Sequence, residues 1–599
     1  MNDLLDYVSM GYQSLVDDLT VTQPPIVGRW VIRVIELQPG AHDEPIICKL
    51  EHVALGTLNG HYEALSYVWG EPTKDIQITV NEQHFHVTKN LDSALRRLRF
   101  KQSERRLWVD AICINQEDLQ ERSVQVQRMW AIYGLASRVV IDLGEETVHS
   151  RMGMNLVKNM AALDISDKEN VLEFLQSSAN FPHRSSWRAV RDIFDRPWWR
   201  RVWIVQEVAM ATDAIVLCGR SDLKWELFEN AIVILTDLYF HPEDYPRDAI
   251  VGLHFPGLHL AAPYSIYTAR RQHRSAEGME TTLAALMIHF RSAETSDPRD
   301  HLYGLLRLSR LTESIRPDYL QTPQEVYIEI VRTSVTGQDG LAIFSALTYS
   351  RNSLKNLPSW CPDWSAPSPN NFPFFMPDFR CTSNRNVNAN FDAATLTLHG
   401  IKLEVLDTVQ MYRVETPLVP VEDLISFIQS FSGSHMRIKS EAKAFVRIAC
   451  ALFSRKRFFE EFDKITNVSE RRIARLYGSW LMRRILESGS NPLIHQFSAG
   501  ELADNVGTEH RLVANISYGR TIFATKNGEL GIGPLGVEPD DIVVALFGGR
   551  TPFVLRPIKN DQDCTYHIIG DCFVERWMSG RAIDELKQGK LVEEKFILT

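Results

Sequence analysis

Between residues 60 and 220, short apolar runs of strand character alternate with helix-patterned segments. That alternation limits the fold more than any other feature. Parallel strands need long crossovers, which helices supply, so the pattern points to an α/β unit with a mainly parallel sheet and helices on both faces. "EALSYVWGE" is a short apolar strand that stops at Gly70. "IQITVNEQHFHVT" reads as a hairpin with Asn81 and Glu82 near its turn. In "NLDSALRRLRF", Leu91, Ala94, Leu95 and Leu98 recur at helical spacing. "RLWVDAICINQ" is apolar on both faces until Asn115 and Gln116, the pattern of a buried strand whose end reaches solvent. Asp118 and Glu121 have capping-box spacing for a helix that runs to about Ser137 and buries Val126, Met129, Tyr133 and Ala136. "RVVIDLG" and "DAIVLCG" are further strands. The polar, mostly helical residues 145–190 insert between them, followed by "RPWWRRVWIVQEVAM" as a helix.

A chain of 599 residues is too long for one core, and its length suggests about three or four domains. Residues 1–225 read as the α/β domain: a short helix within 1–25, two strands in "RWVIRVIELQPG" and "PIICKLEHVAL", then the alternating region. The apolar faces of those two strands need a partner, so they should add to or cover the sheet. Residues 226–380 read as mainly helical with a Pro- and aromatic-rich connector, "LPSWCPDWSAPSPNNFPFFMPDF". Residues 381–515 mix strand, in "ATLTLHGIKLEVLDTV", with a helical stretch over 420–490. Residues 516–599 read as a small β-barrel-like module, with turn signals at Asn527-Gly528 and Gly548-Gly549.

Several function classes are excluded. A net charge of −10 from 65 basic and 75 acidic residues argues against general nucleic-acid binding. No run of about 18 uncharged apolar residues occurs, so no membrane span is expected. The N-terminus carries acids where a secretory signal needs bases, which with eight scattered cysteines points to a reduced, cytoplasmic protein. No cysteine pair or His/Cys cluster has zinc spacing, so neither a structural metal nor a disulfide framework is expected, and no cofactor is assigned. The P-loop, the G-x-S-x-G elbow and H-E-x-x-H are absent from the sequence. The basic run "RRLRFKQSERR" reads as a solvated face at a helix end.

Three separated blocks carry a resemblance. "YEALSYVWG", then "LWVDAICINQEDLQERSVQVQRMWAIYGLASRVV", then "RVWIVQEV", in that order, resemble the motifs of the fungal heterokaryon-incompatibility (HET) domain. "DPRDHLYGLL", "LPSWCPDWS" and "GRTIFATKNGELGIGP" resemble the long fungal proteins that carry this domain at their N-terminus. One departure is Asp142, where such proteins often have tryptophan. The resemblance implies non-self recognition after cell fusion, ending in programmed cell death, with a partner protein still to be named. It also implies a fold distantly similar to the TIR domain, a flavodoxin-like parallel sheet sandwich. Some TIR domains cleave NAD with the glutamate of a W-x-x-x-E helix, and Trp203 and Glu207 have that spacing. NAD then enters as substrate rather than cofactor. TIR scaffolds also signal by self-assembly, so a non-enzymatic signalling or scaffold role through self-association stands as the alternative.

The candidate site follows from sheet geometry. Ligands of open parallel sheets bind beyond the carboxyl ends of the strands. Two such ends are polar here: Ser66, Tyr67, Trp69 and Gly70 after one strand, and Asp110, Asn115 and Gln116 after another. Trp203 and Glu207, at i and i+4, share a helix face beside them. Aromatic walls and one carboxylate suit a nucleotide, and glycosidic cleavage passes through an oxocarbenium-like state that a carboxylate stabilises. Alternatives stay open at each residue. Glu207 is the working group, a ligand contact, or the buried partner of Arg196, Arg200 or Arg201. Asp110 reads as holding a neighbouring loop, and Trp69 and Gly70 as a packing and turn device. Asn115 and Gln116 cap the next helix or bind a ligand. Cys113 reads as core.

Overall fold

A computed structural model describes residues 30–58, 60–176, 184–240, 260–274, 282–309, 315–337, 340–347, 354–366, 379–392, 394–410, 520–559 and 564–599. The helices expected within 1–25 and 420–490 lie outside them. The chain divides into two compact units, Met1–Met279 with Arg316–Leu320, and Glu280–Ile315 with Gln321–Thr599.

The first unit is built on a nine-stranded sheet. Its strands are β1 (Val31–Leu37), β2 (Ile47–Ala54), β3 (Glu63–Tyr67), β4 (Ile76–Val80), β5 (Gln83–Val87), β6 (Arg105–Trp108), β7 (Arg138–Asp142), β8 (Ala214–Cys218) and β9 (Ser221–Lys224), in the order β5-β4-β2-β1-β6-β3-β7-β8-β9. The centre β6-β3-β7-β8 is parallel throughout. Numbered along the chain within that centre, the spatial order is 2-1-3-4. The chain therefore leaves β3 towards one side and returns across it to the other, which puts the switch point between β3 and β7. The sheet as a whole is mixed, not mainly parallel: β1 joins the edge of β6 antiparallel and carries β2, β4–β5 is a hairpin, and β9 folds back on β8. The physical reason lies in β1, whose residues from Ile32 to Leu37 are all buried. A strand buried on both faces, with Arg33 and Glu36 paired to Glu121 and Arg106, must lie inside a sheet, so the N-terminal hairpin extends the sheet.

Local signals behave as their chemistry dictates. Asn81 and Glu82 turn the β4–β5 hairpin with φ of 48° and 64°. Helix α1 (Lys89–Leu98) buries Leu91, Ala94, Leu95 and Leu98, and Thr88 caps it by accepting from Leu91 N. The segment after β6 departs from the expected strand. The strand ends at Trp108, and Asp110–Cys113 forms a single helical turn, α2. Cys113 N donates to Val109 O at 2.7 Å and Ile114 N to Asp110 O at 3.1 Å. An apolar run this short is compatible with either conformation when both faces are buried. Helix α3 (Leu119–Leu135) follows, and Asp118 caps it by accepting from Gln120 N and Glu121 N. Only this half of the capping box forms, because the Glu121 carboxylate turns to Arg33 and to Asn115 N.

Helices α4 (Ser150–Ala161), α5 (Lys168–Gln176) and α6 (Arg184–Phe194) fill the region between β7 and the next helix, α7 (Trp203–Met210). Gly153 lets α4 press against α6, since a Cβ there would sit 2.2 Å from Ala189 O. Helices α8 (Trp225–Phe240) and α9 (Ala261–Arg274) complete the unit, and Arg270 of α9 donates to Val208 O and Ala211 O at the end of α7. No helix among the described residues is long and apolar enough to cross a membrane.

The second unit contains α10 (Leu283–His289), α11 (Asp300–Tyr303) and α12 (Pro323–Thr336), the last opened by a complete capping box between Thr322 and Glu325. Strands β10 (Ala389–Asp392), β11 (Thr395–Gln410), β12 (Arg520–Thr525), β13 (Leu530–Pro534), β14 (Ile542–Leu546), β15 (Phe553–Lys559), β16 (Cys564–Asp571), β17 (Phe573–Val574) and β18 (Glu593–Leu598) form its sheet, with α13 (Arg581–Lys587) before the last strand. Each pair in the sequence β11-β14-β15-β16-β18-β11 is hydrogen-bonded, so these five strands close a ring. The ring takes in β11, which lies before residue 516. That long strand changes partner along its length, with register shifts between Lys402 and Glu404 and between Leu406 and Thr408.

Candidate functional site

The tryptophans of "RPWWRRVWIVQEV" explain how α7 is held. Trp198 and Trp199 pack edge to face at 4.9 Å; Trp225 packs on both, and Phe228 packs on Trp199. Trp199 Nε1 donates to Ile193 O at 2.9 Å, and Trp198 Nε1 donates to Ser66 Oγ at 2.8 Å. The aromatic block thus fixes the start of α7 against the end of β3.

Glu207 sits in the middle of α7 with 1% of its surface exposed. Its Oε2 accepts from the Ser66 hydroxyl, and Tyr133, whose hydroxyl donates to Leu65 O at 3.2 Å, adds to the polar surroundings from α3. Its Oε1 lies 4.0 Å from Arg201, at the outer limit of an ion pair. Arg201 donates to Tyr67 O. Burial pushes the Glu207 carboxyl up to about 7 against the opposing pull of Arg201 and Ser66, and the negative charge of Asp110 adds to the rise. Desolvation therefore outweighs pairing at this position.

Asp110 lies within the same electrostatic group. Its Oδ2 accepts from Trp69 Nε1 at 2.8 Å and its Oδ1 from Ala111 N at 2.7 Å. Burial raises its pKa too, while Arg201 and Trp69 oppose the shift. The Tyr67 phenol is driven well above its usual value, first by burial and then by Asp110. Two carboxylates and one guanidinium thus lie together in surroundings of low dielectric at the carboxyl ends of β3 and β6.

The other expected residues divide. Gly70 has φ of 77°, the left-handed backbone that ends β3, and a Cβ there would meet Asn90 Nδ2 at 2.6 Å. Gln116 Nε2 donates to Asp110 O at 3.1 Å, so it buttresses the α2 turn. Asn115 faces the following helix: its N donates to Glu121 Oε1 and its Oδ1 accepts from Glu117 N at 3.2 Å. Trp203 is only partly buried, unlike Glu207 one turn on. Of the three candidate arginines, Arg201 is the one near Glu207; Arg196 donates to Glu145 O at 2.9 Å and pairs with Asp192. Cys113 is buried within α2 rather than in a strand. Asp142 ends β7 and pairs with Arg97 at 2.5 Å. Trp198 and Tyr133 were not singled out from sequence for the site, though three tryptophans crowded beside one carboxylate hinted at the first. Among the described residues, no group of three or more His, Cys, Asp or Glu is placed to hold a metal ion.

Residues 62–207 match the family model described as Heterokaryon incompatibility protein (HET), and residues 496–592 match that of the Het-6 beta-barrel domain. Over 689 aligned residues the chain is 24% identical to Heterokaryon incompatibility protein 6, OR allele, of Neurospora crassa, covering 97% of this chain and 98% of that protein. No solved structure matches.

Proposed function

We propose that this HET-domain protein acts in fungal non-self recognition, and that its first unit triggers programmed cell death by cleaving NAD or a related nucleotide beside Glu207. The observation that carries the reading is the position of the Glu207 carboxylate. It lies at the carboxyl ends of β3 and β6, next to the switch point of a 2-1-3-4 parallel centre. Flavodoxin-like sheets share that order and bind nucleotides at that edge, which supports the TIR-like reading of the fold. In the reaction, the bond from ribose C1′ to the nicotinamide nitrogen breaks and nicotinamide leaves with the electron pair. Glu207 stabilises the oxocarbenium-like centre, and water adds to C1′ and gives up a proton, leaving ADP-ribose. Arg201 offers the pyrophosphate a cation, and its movement away from Glu207 would uncover the carboxylate.

A second reading rests on a separate observation: Glu207 is 1% exposed and already partnered by Ser66. On that reading the first unit signals by self-assembly, and Glu207 is structural. Purified full-length chain incubated with NAD, dilute and under crowding that promotes assembly, separates the two. The enzymatic reading expects nicotinamide release that Glu207→Gln abolishes. No release under either condition, with cell killing intact, leaves the assembly reading standing.

A further inference from the structure

We propose that Trp198 and Ser66 are positioning residues of the Glu207 site: the indole fixes the direction of the Ser66 hydroxyl, and the hydroxyl orients Glu207 and keeps it ionised. The inference rests on the reading of Glu207 as the working carboxylate and adds what prepares it. Trp198 Nε1 lies 2.8 Å from Ser66 Oγ, and the same oxygen is bonded to Glu207 Oε2. All three residues are buried. An indole N–H can only donate, so the Ser66 oxygen must accept there. A hydroxyl has one proton, and with the indole on its oxygen that proton goes to the carboxylate. The order from Trp198 through Ser66 to Glu207 is therefore set by the donors and acceptors themselves.

A proton aimed at a carboxyl oxygen favours the ionised form of that acid. Burial opposes ionisation of Glu207, and so does the negative charge of Asp110 from α2. Arg201 pulls the other way, but it lies 4.0 Å from Oε1 and donates to Tyr67 O. Tyr67 at the end of β3 and Tyr133 on α3 are phenols driven well above their usual range, so neither brings a charge. The Tyr133 hydroxyl donates to Leu65 O at 3.2 Å. Arg270 of α9 donates to Val208 O and Ala211 O and pairs with Glu226 and Glu229. Ser66 thus meets Glu207 directly as a donor, and Trp198 keeps it turned that way. Trp198, with none of its surface exposed, acts through Glu207 rather than on a substrate.

The test uses the full-length chain. The folded-state ionisation of Glu207 is read as the upper end of the pH window in which the stability difference between each variant and its Glu207→Gln counterpart changes. That end lies at about 7 in wild type. Ser66→Ala removes the donor and should move it up by about one pH unit, a tenfold change in the ionisation constant. Trp198→Phe keeps a ring in the aromatic block but loses the N–H, and should move it the same way by less. Benzothienylalanine at position 198 keeps the bicyclic shape without the N–H and takes its place if Trp198→Phe does not fold. Trp199→Phe is the control: that indole donates to Ile193 O in the same block, and its loss should leave the end where it is. The acid limb of the kcat/KM profile for nicotinamide release should follow each shift. If wild type releases no nicotinamide, the reading of Glu207 as catalytic fails, while the stability window still decides whether Ser66 and Trp198 set its ionisation. An end unmoved in Ser66→Ala or on loss of the Trp198 N–H overturns the proposal. An equal shift in Trp199→Phe also overturns it, because loosened packing would then be the cause.

Discussion

Ser66 donates its hydroxyl proton to Glu207, joining the end of β3 to the middle of α7 across 141 positions of sequence. The same hydroxyl accepts from Trp198 Nε1 at 2.8 Å. One small side chain therefore satisfies two buried groups from one segment, and it sets where the carboxylate lies relative to the sheet.

Removing that hydroxyl should be costly. In Ser66→Ala the indole N–H loses its acceptor and the carboxylate a donor, both away from water, for a loss of about 1–3 kcal/mol. Ser66→Thr, which keeps the hydroxyl, should lose less. Urea unfolding of both variants checks this, and equal stability of Ser66→Ala and wild type would contradict the bond's role.

Close helix packing gives a second prediction. A Cβ at Gly153 would fall 2.2 Å from Ala189 O and 2.9 Å from Ile193 Cγ1. Backbone cannot yield there as a flexible side chain could, so Gly153→Ala should separate α4 from α6. The expected loss is about 1–3 kcal/mol, despite alanine's better helix propensity. A more stable variant would show that the two helices adjust freely.

How far the sequence foretold this arrangement depends on the range of the forces involved. The β4–β5 hairpin and α1 were legible because turn residues and helical spacing act over a few positions. The α2 turn was not, because an apolar segment buried on every side shows no period to read. Ser66 and Glu207 could each be named, but not their bond, which exists only because α7 crosses the end of β3. Closure of the C-terminal ring by β11 was hidden for a similar reason. It depends on two register shifts that let one strand serve several partners.

In the second unit, Arg520 and Asp571 form an ion pair at 2.7 Å with side chains 4% and 3% exposed. Arg520→Met leaves Asp571 with a buried charge and should cost about 3–5 kcal/mol. Replacing both residues by apolar ones of similar size should recover much of that loss. Comparing the single and double variants by thermal unfolding checks the claim, and equal losses in the two would refute it.

Asp110 raises the Glu207 pKa through its own negative charge. Asp110→Asn should therefore move the Glu207 titration downwards while the amide oxygen still accepts from Trp69 or Ala111. The shift is read as the midpoint of the pH-dependent stability difference between Asp110→Asn and the double variant with Glu207→Gln. A midpoint unchanged from the wild-type background would show that Asp110 is electrostatically remote from Glu207.

The last prediction returns to Glu207. Burial pushes its carboxyl up to about 7 in the folded chain, from the 4.5 of an ordinary glutamate. Below about pH 4.5 both folded and unfolded states hold the proton. Between about pH 4.5 and 7 only the folded state holds it, so this group makes stability fall as pH rises through that window. Above about pH 7 both states are ionised and the contribution is flat, about 3 kcal/mol below its acid value. Glu207→Gln mimics the protonated form and should remove this slope. At pH 8 the variant should be as stable as wild type or more so, because Arg201 keeps Tyr67 O as acceptor and Asp110 as countercharge. If Arg201 instead relies on Glu207, the variant should lose about 3–5 kcal/mol at pH 8. Preserved stability together with lost nicotinamide release and lost killing would place the chemistry at Glu207. Preserved stability with killing intact would move the effector function to another surface of the first unit.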